Sequence, residues 1–229
     1  MSGRIGRHCV IDESVEVPDD VEIGHFTIIG AEVVLQPGVC IGSHCVIDEG
    51  VEFRGPCRVW NWVHIREYAQ IGVNVSIGDL AHIGPKCRIG HNARIGNGAQ
   101  LHHPAQIGRH AWIGPSAFLS NDPYPNPGAE FSPEAVRVGD SVIIGACAQV
   151  LGGVRLGEEC AVGMGATVTR DVASGAIVYG CPARFRRDRE LHYPGTAWEH
   201  HGPLDPLAYC PDCDRLLAPQ FRHSRGGQR

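Results

Sequence analysis

Aromatic side chains make up only 7% of this chain of 229 residues, and it has two methionines. A core built on large aromatic anchors is therefore excluded. Helical periodicity is almost absent, so a bundle of amphipathic helices is excluded as well. No apolar stretch approaches the roughly 18 residues that a membrane helix needs, and Met1 to Asp12 lack a basic region followed by an apolar core. The expectation is a cytoplasmic protein with no membrane partner. There is no long Lys/Arg run either, and the net charge is −5 with a pI near 6.2, which argues against nucleic acid as a partner.

What the chain does have is a register. Read in steps of six from Ile5 to Leu119, twenty successive positions carry an aliphatic or aromatic side chain. The residue two before each, from Cys9 to Ala117, is always small or β-branched, and Gly follows the aliphatic residue in most hexads. A period of two inside a period of six describes a short strand with two inward side chains, then a turn at which Gly relieves crowding. Three hexads make one triangular coil, so residues eighteen apart are vertical neighbours.

The register breaks between Ser120 and Arg137, where Pro123, Pro125, Pro127, Gly128 and Pro133 fall, and resumes at Val138. That segment, 120–137, reads as a projecting loop, a place where rigid scaffolds carry function. The repeat domain is assigned to 1–184 and a charged, His- and Pro-rich tail to 185–229, expected to be irregular or to form a short helix. Ten cysteines are present, but Cys9, Cys45, Cys57, Cys87 and Cys160 fall on the small inward position and read as core filler. Only Cys210 and Cys213 have a spacing that itself implies chemistry; a structural zinc and a free thiol pair both remain open.

With these residues in view, the chain resembles the hexapeptide-repeat acyltransferases: Ile-Gly hexads, a projecting loop, renewed hexads and the closing Gly180-Cys-Pro-Ala-Arg184. The resemblance implies an all-β, left-handed parallel β-helix working as a homotrimer, with acetyl-CoA as co-substrate. Val59-Trp-Asn-Trp-Val-His-Ile-Arg-Glu67 and Phe118-Leu-Ser-Asn-Asp-Pro-Tyr-Pro125 are similar to segments of the branch that N-acetylates nucleotide-linked amino sugars. That branch implies a dTDP- or UDP-linked amino sugar as acceptor, although it commonly has Asn where Cys181 stands. Acetylation of another small molecule at nitrogen or oxygen is the alternative. The gamma carbonic anhydrases share the solenoid but use zinc-binding His five residues apart, and no two His here have that spacing. A non-catalytic β-helix is the third reading.

Folded on the eighteen-residue period, His64, His82 and Gln100 form one column, and Arg66, Gly84, His102 and Ser120 a second beside it. At the adjoining corner stand Glu67, Pro85, His103 and Asn121. His102 or His103 is the candidate general base, with Asp122 to orient the imidazole or to hold the substrate ammonium. His64, Arg66, Glu67, His82, Gln100 and Asn121 are the candidate acceptor-binding residues. The resemblance places the pantetheine arm along Ala146, Ala148, Gly163 and Gly165, and the basic cluster containing Arg184 and Arg186 is suited to the coenzyme phosphates.

Overall fold

The computed structural model describes residues 4–126, 128 and 132–189, together with the backbone of 209–210 and 215–216. The chain is a left-handed parallel β-helix with three faces. The first face has eleven strands running from Arg4–Ile5 to Arg184–Asp188, the second nine from Val10–Ile11 to Thr167–Val168, and the third seven from Val34–Leu35 to Arg155–Leu156. No helix occurs among the described residues.

Pairing follows the eighteen-residue offset: His64 lies opposite His82, Arg88 opposite Gln106 and Arg94 opposite Trp112. After Leu119 the offset becomes thirty-one, as in Gln106 opposite Arg137 and Phe118 opposite Gln149. The projecting loop is thus thirteen residues added at the corner between the second and third faces, and it leaves the register intact on either side.

The inward aliphatic and small positions form one continuous core, with Phe53, Ile65, Ile77, Leu101 and Ile113 fully buried. Cys45, Cys57, Cys87 and Cys160 are buried in it. Burial pushes the thiols of Cys87 and Cys160 up to about 12, and that of Cys57 higher still. These sulfurs are packing atoms with almost no thiolate character at neutral pH. Cys147 and Cys181 are exposed thiols.

The turn glycines serve the next coil more than their own backbone. A Cβ on Gly84 would stand 2.6 Å from the nitrogen of His103, and one on Gly108 2.4 Å from the carbonyl carbon of Gly139. The left-handed backbone position falls at most corners on non-glycine residues such as Trp62, Leu80 and Lys86, with φ of 59°, 61° and 53°. Their cost is offset by ladder bonds, for example Leu80 N–H to the Asn61 carbonyl at 3.0 Å.

The end of the helix corrects the sequence expectation. The sequence leads one to expect a helical or irregular chain from Phe185 onward, but Arg184–Asp188 forms an antiparallel strand against Ala176–Tyr179. The turn through Gly180 to Ala183 reverses the chain, and the returning strand pairs with an edge that would otherwise present open N–H and C=O groups.

Candidate active site

The second face carries on its outer side the column Val46, His64, His82, Gln100, Phe118. Strand alternation puts the intervening Ile65, Ile83 and Leu101 in the core and these residues outside. The imidazoles pack on one another. Ring centroids are 5.6 Å apart for His64 and His82, 5.9 Å for His82 and His102, and 4.8 Å for His102 and Phe118.

One end of this stack is polar. His64 Nε2 lies 3.0 Å from Asp48 Oδ2, and Arg66 Nε donates to the same oxygen at 2.8 Å and to Glu67 Oε2 at 2.9 Å. Toward the other end the stack becomes less polar. Burial holds the His102 imidazolium down, lowering its pKa from the ordinary 6.5; for His82 burial acts first, followed by repulsion from His64, His102 and Arg66. Both rings are therefore neutral at pH 7. His102 Nε2 is buried and makes no hydrogen bond.

His103 stands at the corner where the loop leaves. Corner histidines elsewhere use Nδ1 to accept a backbone N–H of the preceding coil: His25 from Arg7 at 2.8 Å and His91 from Val73 at 2.9 Å. For His103 the residue one coil before is Pro85, which has no N–H. Its Nδ1 lies 2.7 Å from the Pro85 carbonyl oxygen, so Nδ1 must carry the proton and donate. That fixes the tautomer and leaves the Nε2 lone pair as the ring's only basic site.

The acceptor-binding candidates His64, Arg66, Glu67 and His82 are thus in one contact network, with Gln100 in register beside them and exposed. Asn121 and Asp122 belong to the loop stem. The Asn121 carbonyl accepts from Glu134 N–H at 2.8 Å. Asp122 Oδ1 accepts from Tyr124 N–H at 2.9 Å, an Asx turn that closes the carboxylate on its own loop. Asp48 and Phe118 were missed in the sequence, although Asp48 lies eighteen residues before Arg66 and Phe118 eighteen after Gln100.

Of the small residues proposed for the pantetheine arm, Ala148 is corrected. Its methyl is fully buried in the core, its N–H donates to the Gly145 carbonyl, and its carbonyl accepts from Phe118. It occupies the inward position, where smallness serves packing. Ala146 and Gly163 are partly exposed at the corner between the first and second faces. At the same corner Gly165, with φ of +64°, has open space where a Cβ would stand. This edge fits a narrow chain laid against the backbone. Arg186 lies 4.6 Å over the Tyr179 ring and Arg184 Nη1 donates to the Ala183 carbonyl, both on the closing strand.

The side chains of Cys210 and Cys213 lie outside the described residues. Among the described residues no group of three or more His, Cys, Asp or Glu is placed to hold a metal ion. No helix among them is long and apolar enough to cross a membrane.

The family model "bacterial transferase hexapeptide (six repeats)" matches residues 68–103, 86–121 and 135–170. Serine acetyltransferase 2 of Arabidopsis thaliana is 33% identical over 73 residues, covering 32% of this chain and 23% of that protein. A 2,3,4,5-tetrahydropyridine-2,6-dicarboxylate N-acetyltransferase of Staphylococcus aureus is 49% identical over 53 residues, covering 23% of this chain and 22% of that protein. The match thus spans less than a quarter of these curated relatives. Among solved structures, the UDP-N-acetylglucosamine acyltransferase of Francisella novicida superposes with a TM-score of 0.55 at 20% identity, covering 79% of this chain and 68% of that one. That likeness is one of fold.

Proposed function

We propose, from the premise that these repeats belong to the bacterial transferase hexapeptide family, that the protein is an acetyl-CoA-dependent acyltransferase acting on the amine of a dTDP- or UDP-linked amino sugar. The observation that carries the reading is His103, whose proton is fixed on Nδ1 by the Pro85 carbonyl at 2.7 Å, leaving Nε2 to accept a proton. Beside it His64, His82 and His102 stack from coil to coil, with His64 bonded to Asp48, and burial keeps the His82 and His102 rings neutral.

In this reading the neutral amine attacks the thioester carbonyl carbon directly. The new C–N bond forms, the C–S bond breaks, and His103 Nε2 takes the proton lost by the amine. The sulfur leaves as thiolate and recovers that proton from the imidazolium, so the products are an N-acetyl sugar and free coenzyme A. The Cys45, Cys57, Cys87 and Cys160 sulfurs are buried in the core and unsuited to form an acyl-enzyme. Ala146, Gly163 and Gly165 would lie along the pantetheine arm. Asp48, Arg66 and Glu67 form the charged end of the face and would hold the acceptor's polar groups.

Support for the amine acceptor comes from the Val59–Glu67 and Phe118–Pro125 segments and from similarity to a relative named as an N-acetyltransferase. The patch lies on an open face, so a neighbouring copy must supply the opposite wall; we infer a homotrimer, which light scattering checks. Catalysis itself is tested by mixing the protein with acetyl-CoA and a panel of nucleotide amino sugars. Thiol release with one acetyl mass gained on nitrogen is the expected result. If the panel stays unreacted while a free sugar hydroxyl or an amino acid amine is acetylated, the acceptor assignment fails and the acyltransferase reading stands.

A further inference from the structure

The third face differs from the other two in charge. Its outer column runs Gln70, Arg88, Gln106, Arg137, Arg155, each in register with the next. Arg137 lies directly opposite Arg155, a like-charged cross-strand pair that is destabilising unless an anion lies between or over the two. Among the described residues, Arg88, Arg137 and Arg155 have no carboxylate partner in an ion pair. The nearby acid Asp171 is spent on the Arg155 backbone N–H at 2.8 Å.

Beside these arginines runs a groove of about 800 Å³ that includes all three of them, Gln106 and the backbone of Gly108, Gly139 and Gly157. Glu158 and Asp171 also line it. With coils about 4.8 Å apart, the guanidinium bases from Arg88 to Arg155 span about 14 Å. In a chain of net charge −5, three unpaired, exposed arginines on one groove are a concentrated positive field. No aromatic ring stands in this outer column, so a stacking platform for bases is missing.

We propose that this groove binds the diphosphate of a phosphate-bearing small molecule, with Arg137 and Arg155 as the paired donors and Arg88 as the outlying one. Guanidinium forks match phosphate oxygens in geometry and charge. The groove is also placed for the same reaction. Arg137 is the first strand residue after the projecting loop, and Gln106 lies three residues beyond His103 across the shared corner. The assignment of a substrate rests on the acyltransferase reading, in which the coenzyme and the nucleotide-linked acceptor both carry a diphosphate.

The test uses the full chain and inorganic pyrophosphate. Calorimetry should show pyrophosphate binding that weakens with salt. The double variant Arg137→Gln/Arg155→Gln should lose tenfold or more in affinity, while Arg4→Gln, on another face, binds as the parent does. Unchanged melting temperatures show that the exposed substitutions leave the fold intact. Coenzyme A and UDP are then added separately as competitors, and the one that displaces pyrophosphate identifies the source. No pyrophosphate binding, equal binding by the double variant, or displacement by neither competitor would overturn the proposal. Acetyl transfer by a protein that fails to bind pyrophosphate would sink the groove alone. Arginine-dependent binding displaced by a competitor, without transfer, would sink the catalytic reading alone.

Discussion

Two polar columns on this solenoid look alike in sequence and differ in what their groups are spent on. At the corner between the first and second faces, Asn61 Oδ1 accepts from Ser43 N–H at 2.9 Å, and Asp79 Oδ1 takes both the backbone N–H and the side-chain amide of Asn61, at 2.9 and 3.0 Å. Every one of those oxygens ties one coil to the next. One strand away, His82 and His102 stack and stay neutral, and the buried His102 Nε2 has no hydrogen-bond partner. A polar side chain on a repeat surface is therefore read by its unused bonding capacity. The saturated column is structural, and the histidine stack is the one to which the proposed function assigns chemistry.

The sharpest way to break that comparison is to set the saturated corner against His103, the proposed base beside the histidine stack. His103→Ala should lower turnover by about 100-fold or more, equivalent to about 2.7 kcal/mol of transition-state stabilisation, while coenzyme A binding by calorimetry stays within error. His102→Ala should cost less, through the packing of its neighbours. Asp79→Ala should do the reverse: a loss of about 2 kcal/mol in urea unfolding, with turnover per folded molecule unchanged. If Asp79→Ala abolishes turnover in a fully folded protein, the division between the columns is wrong.

A smaller effect follows from the neutral rings. The pKa values of His82 and His102 are depressed in the fold, so the folded state binds fewer protons than the unfolded one as pH falls. Their contribution to stability is complete above the ordinary value of 6.5 and is lost as pH falls through it toward the folded values. The urea midpoint of the parent should drop between pH 7 and pH 5 more than that of the His82→Gln/His102→Gln variant. Smallest of all is Asp48→Asn, which removes the carboxylate shared by His64 and Arg66. It should raise the acceptor KM by roughly tenfold or less with kcat nearly constant.

The fold was legible because inward residues repeat without a slip from Ile5 to Leu119, and that register placed His64 over His82 before any coordinates. The same register carried information that was left unread. It puts Ala148 on the inward column with Ala117 and Ala166, where no ligand can reach, and it puts Asp48 below Arg66. The closing strand was hidden by a different cause. Arg184–Asp188 is short and charged, with no alternation to announce a strand, and it is held by pairing to a neighbour. Asp122 shows where the period stops helping, since side-chain direction in an inserted loop is set by local Asx geometry.

The most direct test of the account is the ring tautomer of His103, read by nitrogen-resolved NMR of the histidine rings in the full-length protein. The expected result is a His103 tautomer with its proton on Nδ1, and loss of that single tautomer when the corner is altered by Pro85→Ala, which restores a backbone N–H to compete for the ring. A His103 ring protonated on Nε2 in the parent protein would contradict the account, because the nitrogen assigned to receive the amine proton would already hold one.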